Sequence, residues 1–458
     1  MLISVFMFRR HYHESLTSGL ARLFARRDVK DLKIDLWNSF VDSGLLEINE
    51  HDCSAIPRIL PLSYLPTIRR TCFHITEFLM KLLSLDAAAI KSIIPRTPIN
   101  EYLINELGVL KYKRKRITGT LRYDMAIEGP VKPSNPPKLL EVNEIGFDGV
   151  GRSSYIQETI LKLFPELKKK VLCMDTALSE VSNMRRLGKR FVRFHYDSYT
   201  WEEEVIRMKA ARVGLDMKFV SPRVMRTTVD EDCTLLKRAD VRLKGNRIYI
   251  GDDRVAPDAF QVAYSFELGD YKEAPDFFRM LIRSDTFQYS PFLTGIVAPK
   301  TILVVLSDKG FRKELLGKGG ARALEDAILP AKLLGDDIEN VKRDSGKFVL
   351  KRGDGMGGEH VFIGRRMLPR IRRIPKCERN EWVLQKRLDL NTIDADGFLS
   401  KRRRVVADLS AYVQYDWNGS RFTNFNVGGF ITRATNRGLK VNVSGGGIQV
   451  PVMFDRSR

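Results

Sequence analysis

Apolar residues return at every third or fourth position through the first part of the chain. Leu32, Ile34, Leu36, Trp37 and Phe40 form one series and the stretch from Ile68 to Leu85 another, with polar residues between. This spacing predicts a helical region from Tyr12 to about Leu107, each helix turning one face to a core. Ile56-Pro57, Leu60-Pro-Leu-Ser and Pro95-Arg-Thr-Pro98 mark loops within it, because proline lacks a backbone N–H and restricts the residue before it. The pattern changes at Thr118. Thr118 to Ile127 reads as a strand, Gly129 to Pro137 as a Pro-rich turn, and Lys138-Leu-Leu-Glu-Val-Asn143 as the partner strand of a hairpin.

Residues 166–225 carry an α/β pattern: a strand at Arg190-Phe-Val-Arg-Phe194, an amphipathic helix from Trp201 to Val213 stopped by Gly214, and a strand at Met217-Lys-Phe-Val220. Its first turn has no glycine fingerprint, so the expectation is a substrate-side scaffold and not a dinucleotide site. Residues 240–251 resemble a hairpin, and Tyr271 to Ser284 is helical. Lys300-Thr-Ile-Leu-Val-Val-Leu306 fits either a strand or the start of a buried helix. A helical stretch to Leu329 precedes three strands, at Phe348 to Lys351, Glu359 to Ile363 and Trp382 to Gln385, and a β-rich end runs from Arg404 to Phe454. The chain therefore divides into a helical N-terminal region (1–117), a hairpin region (118–165), a Rossmann-like region (166–295) and a final lobe (296–458).

Composition narrows the classes. With 458 residues, 43% hydrophobic and 29% charged, the chain has the length of about three folded domains, and no segment is apolar enough to span a bilayer. Arg9 and Arg10 follow the apolar run Met1 to Phe8, whereas a secretion signal has its charges first. Five scattered cysteines (Cys53, Cys72, Cys173, Cys233, Cys377) show no CxxC or His/Cys ligand spacing. The expectation is a soluble cytoplasmic protein with reduced thiols. A formal charge of +21 implies an anionic partner: a nucleotide, an acidic substrate, nucleic acid or a membrane surface. The basic residues gather in Lys111 to Arg116, Arg365 to Arg373 and Lys401 to Arg404. Taken singly each cluster reads as a solvated face, and no zinc finger or RNP motif points to nucleic acid.

Two motifs carry chemistry. Gly353-Asp-Gly-Met-Gly-Gly358 has a GxGxxG spacing, but Val361-Phe-Ile363 behind it is strand-like and ends at Gly364, so the loop joins two strands and no helix follows. Such a loop can offer N–H groups to phosphates beside Lys351, or serve only as a tight turn next to a surface lysine. Upstream, Glu141 and Asn143 lie two apart on one strand and share a face, and a paired strand brings Asp124 beside them. Two carboxylates and an amide oxygen suit magnesium; polar residues on an exposed hairpin face are the other reading.

Together, and in this order, the motifs resemble the circularly permuted ATP-grasp enzymes, most closely the synthase domain of glutathionylspermidine synthases. Arg122-Tyr-Asp124 and Lys138-Leu-Leu-Glu-Val-Asn143 match the first pair of family strands. Val349-Leu-Lys-Arg-Gly-Asp-Gly-Met-Gly-Gly358 matches the lysine strand and loop, Val383-Leu-Gln-Lys386 the hinge strand, and Gly428-Gly-Phe-Ile-Thr-Arg433 with Val441-Asn-Val-Ser-Gly-Gly-Gly447 the end. Arg352 stands where the family often has proline, and Glu144-Ile-Gly-Phe replaces the Ala-Asp-Thr-Pro of polyamine ligases. The resemblance implies an α/β (α+β) circularly permuted ATP-grasp fold with a small Rossmann-like layer and helical N-terminal region. It further implies ATP and Mg2+ as cofactors and an amide-forming ligase that works through an acyl phosphate.

By the same carry-over Asp124, Glu141 and Asn143 would hold magnesium, while Lys351 and Lys300 would contact phosphates. Gly355, Gly357 and Gly358 would line the lid, Gln385 would lie near adenine, and Arg122 and Arg433 would stabilise the transferring group. The implied partners are small-molecule or peptide carboxylate and amine substrates, acidic ones if the basic clusters serve them. Nucleic acid and membrane are not expected, and the oligomeric state stays open. A kinase on the same scaffold and a basic nucleotide- or nucleic-acid-binding protein without turnover are the alternatives. His360 reads as structural, whereas His195 and Tyr196 could face substrate beyond the end of their strand.

Overall fold

The sheet at the centre of the molecule grows from the hairpin. Ile117–Ala126 alternates its side chains between two faces: Leu121, Tyr123 and Met125 enter the main apolar core, while Thr118, Thr120, Arg122 and Asp124 line the other face. The apolar face packs on the helix Leu65–Ser84, whose Ile68, Cys72, Ile75 and Leu79 are fully buried, and Thr76 Oγ1 lies 2.7 Å from the Tyr123 hydroxyl. The computed structural model describes residues 12–14, 20, 24, 29–42, 53–144, 149–195, 201–225, 236–262, 268–335, 338–355, 358, 360–395, 403–435 and 447–457.

Among these residues the large sheet has nine strands, and its main path runs Arg58–Pro61, Ile448–Asp455, Phe422–Thr435, Leu409–Trp417, Ile117–Ala126, Lys138–Asn143. Only the first pairing on this path is parallel. Arg58–Pro61 corrects the loop expected at Leu60-Pro-Leu-Ser: it is a fully buried strand in register with Val452 to Asp455, and Pro61 is its last residue, where a missing N–H is tolerated. Two further layers stand on this sheet. Phe287–Gln288, Ala259–Val262, Arg190–Phe194, Asp216–Pro222 and Leu236–Ala239 make an all-parallel sheet with Trp201–Arg212 as a crossover helix. Ala331–Leu333, Trp382–Lys386, Phe348–Arg352 and Val361–Ile363 make an antiparallel sheet over a core of Leu334, Val341, Leu350, Met367, Trp382 and Leu384. The open choice at Lys300 to Leu306 resolves to a helix, Ile302–Ser307, with Ile302, Leu303, Val305 and Leu306 buried. No helix among the described residues is long and apolar enough to cross a membrane.

The first basic cluster is largely structural. Lys113 donates to the Leu85 carbonyl, Arg114 to the carbonyls of Ser284 and Thr286, and Arg116 to both oxygens of Asp416 at 2.9 and 2.7 Å. These cations close the ends of helices and strands. In the second cluster the Arg370 guanidinium stacks 5.1 Å from the Trp382 ring centre. Lys401 and Arg402 of the third lie outside the described residues.

Gly428 and Gly429 let the helix Thr176–Arg185 rest directly on the sheet. The register slips by one residue between Tyr412 and Val413, opposite Gly428, and a Cβ on Gly429 would lie 1.9 Å from Thr176 Oγ1. Gly429→Ala is therefore expected to destabilise the protein by about 1–3 kcal/mol, the usual cost of overpacking a filled interior, read as a lower midpoint in chemical denaturation.

Candidate functional site

In the hairpin Asp124 pairs with Glu141 and Arg122 with Asn143, so the expected same-face group forms. Asp124 is fully buried, and its oxygens are crowded. Oδ1 accepts from Arg122 Nε at 2.9 Å and Ser410 Oγ at 2.8 Å; Oδ2 accepts from Arg122 Nη2 at 3.3 Å, Asn143 Nδ2 at 3.1 Å and Arg433 Nη2 at 2.8 Å. Burial alone would raise its pKa, but the charges of Arg122 and Arg433 and the Ser410 hydroxyl overcome that and hold the carboxyl well below the usual range. A carboxylate has about four lone-pair sites, and these are spent. Asp124 thus serves here as an anchor for the surrounding donors, and a cation would reach it only in exchange for one of them.

Glu141 and Asn143 differ. Asn143 gives its amide N–H to Asp124, which leaves its amide oxygen as the acceptor, and the Glu141 carboxylate, partly exposed, faces Lys300 Nζ at 2.8 Å. Two oxygen donors on one strand fit magnesium, which typically takes one or two protein groups and completes its shell with water and phosphate. Among the described residues no three His, Cys, Asp or Glu side chains gather as a metal cage.

The antiparallel sheet supplies the cations. Lys351 is buried and donates to Gln385 Oε1 at 2.7 Å and to the Leu140 carbonyl at 2.8 Å, while Gln385 Nε2 donates to the Leu139 carbonyl at 3.0 Å. Lysine strand and hairpin are thereby stitched together. Burial pushes the Lys351 ammonium down to about 8; Glu141 opposes the shift and Lys300 adds to it. Gln385 has both ends of its amide committed, to Lys351 and to the Leu139 carbonyl. Lys300 also donates to the Gly355 carbonyl, and its backbone N–H to Gly353 at 2.8 Å, which ties the start of the glycine loop to Glu141. Gly358 adopts a φ of +73°, the left-handed region natural to glycine. Gly357 and the Val441 to Gly446 segment lie outside the described residues.

Arg433 arrives from Phe422–Thr435, held by Asp408, which accepts from its backbone N–H at 2.7 Å and its Nε at 2.8 Å. Charges on Asp124 and Asp408 outweigh burial and keep Arg433 firmly protonated. Asp408 and Ser410 were missed in the sequence, although a lone carboxylate in Val405-Val-Ala-Asp-Leu-Ser-Ala411 is the kind of signal that marks a buried ion pair. His360 stands edge-on to Trp382 at 6.1 Å, a packing role. His195 is completely buried, tilted against Phe219 at 5.4 Å, and burial pushes its pKa down to about 3, so it is neutral in place. Tyr196 lies outside the described residues.

No protein-family model matches the chain, and no curated protein matches it. A solved structure does: a glutathione synthetase-like effector from Globodera pallida, in its apo form, superposes with a TM-score of 0.68 over 96% of this chain and 99% of its own, at 11% identity. The chain has a glutathione synthetase-like α/β fold. At that identity the likeness speaks for architecture alone.

The buried ammonium gives the site a measurable signature. In 13Cε-lysine NMR one resonance, lost in Lys351→Met, is expected to titrate near pH 8, charged below and neutral above, against the ordinary 10.5. Glu141→Gln removes an anion that favours the charged form, so the midpoint is expected to fall further.

Proposed function

We propose that this chain is an ATP-dependent carboxylate–amine ligase working through an acyl phosphate. The observation that carries this reading is the convergence of Lys300 and Lys351 from one lobe and Arg122 and Arg433 from the central sheet around a single Glu141/Asn143 edge. Four cations there meet three carboxylates, Asp124, Glu141 and Asp408. The excess is one positive charge, and magnesium would add to it in meeting the negative charge of a triphosphate.

Lys351 and Lys300 would take the phosphate oxygens, Lys300 giving up Glu141 to do so. The backbone of the glycine loop, from Gly355 to Gly358, would close over them. Glu141 and Asn143 would hold magnesium, which would supply positive charge to offset that of the phosphates. The substrate carboxylate attacks the γ-phosphorus as the bond to ADP breaks, giving an acyl phosphate and ADP. The amine nitrogen then attacks the acyl carbon, phosphate leaves, and the amine's proton passes to solvent or phosphate. Arg122 and Arg433, fixed by Asp124, would face the charge that builds on the transferring group, where preoriented donors act without reorganisation.

Hydroxylamine decides between this and a phosphoryl transferase. With Mg-ATP and a panel of amino acids, peptides and polyamines, ADP release accompanied by hydroxamate is the expected result; ADP without hydroxamate from any acid overturns the ligase reading. Glu141→Ala is expected to abolish magnesium-dependent turnover with the melting profile retained. Lys351→Met is expected to weaken Mg-ATP binding by about 10- to 100-fold, the 1.5–3 kcal/mol of a charged hydrogen bond, measured by calorimetry.

A further inference from the structure

Asp408 has no place in the chemistry above, yet it is as buried as any residue in the protein and is bound on every side. Its carboxylate receives the Arg433 backbone N–H, Nε and Nη2. Its own carbonyl receives Thr432 Oγ1 at 3.0 Å and a guanidinium N–H of Arg58. Arg58 is held in turn by both oxygens of Glu14, at 2.8 and 2.6 Å. A guanidinium offers five donors in a rigid fork, and one Nη2 of Arg433 reaches across to Asp124 Oδ2. Arg433 is therefore clamped between two carboxylates, with the rotation of its plane set by Asp408.

From this geometry we infer that Asp408 is a positioning residue, which aims the Arg433 guanidinium at the transferring phosphoryl group; this rests on the nucleotide reading of the site. Asp124 alone cannot do the same. It shares its oxygens among Arg122, Asn143, Ser410 and Arg433, and its single contact to Arg433 leaves the fork free to swing about one hydrogen bond. Asp408 adds contacts at Nε and at the backbone, so side chain and strand move as one body. Burial raises the pKa of Asp408, with Asp124 adding to this and Arg433 opposing it, as expected of a carboxylate kept in a dry site for one partner.

Asp408→Asn tests this with little change of shape. The amide oxygen can still accept the Arg433 backbone N–H, but the NH2 that replaces the other oxygen confronts Arg433 Nε and Nη2, donor against donor. The probes are Mg-ADP alone and Mg-ADP with aluminium fluoride, which imitates the phosphoryl group in flight. Wild-type protein is expected to bind the fluoride complex on the order of 100-fold more tightly than Mg-ADP. Asp408→Asn is expected to lose most of that gain, as misplacing a catalytic group by about 1 Å does, with Mg-ADP affinity as in wild type. Arg433→Lys is expected to lose it too, and the double variant to lose no more than either single, since both act through one guanidinium.

Asp408→Asn that melts like wild type and keeps the fluoride gain overturns the inference, as do additive losses in the double variant. Wild type that binds Mg-ADP without a fluoride gain also overturns it, by removing the role it gives Arg433. Wild type that binds no Mg-ADP overturns the nucleotide reading itself and this inference with it.

Discussion

A negative charge placed out of reach of water must be answered by positive charge nearby, and Asp124 imposes that condition on everything around it. Burying an unpaired carboxylate is prohibitive, and breaking a buried pair costs about 3–5 kcal/mol. Arg122 on its own strand and Arg433 from a strand three hundred residues away answer it together. Arg433 then requires Asp408, and Asp408 is fixed through Thr432 and Arg58. The hairpin orients Glu141 and Asn143 because Asn143 also donates to Asp124. The arrangement is held together because Asp124, Asp408 and Arg433 each have protein partners.

The second constraint acts on Lys351. Its ammonium sits where the Lys138–Asn143 strand meets the antiparallel sheet, satisfied by one carbonyl and one amide. That junction puts the glycine loop above Glu141.

Local structure was legible in the sequence where the signal was local. The hairpin, the strand–helix–strand unit and the three strands around the glycine loop all follow from period and turn chemistry, and each forms where it was read. Arg58–Pro61 escaped because four buried residues ending in proline show no alternation. The Ile302–Ser307 helix was ambiguous because a short apolar run is compatible with both periods. At the site, spacing places Glu141, Asn143 and Asp124 on one face, but it cannot say that two guanidiniums converge on Asp124. Gln385 is a similar case: a buried amide reads alike whether it meets a base or locks a lysine. The basic cluster at Lys113, Arg114 and Arg116 looked like surface charge because its acceptors, the Leu85 and Ser284 carbonyls and Asp416, are distant in sequence.

The pairing of Ile117–Ala126 with Leu409–Trp417 has a further consequence for how the protein comes into being. Until the later strand is made and docked, Asp124 has only the hairpin's own Arg122 and Asn143 and water. Loop closure over such a span is entropically costly before any contact repays it. The early helices and the hairpin's apolar face can collapse first, while the charged corner locks last. Assembly of the site is then a late step, completed only when Leu409–Trp417 and Arg433 reach the hairpin.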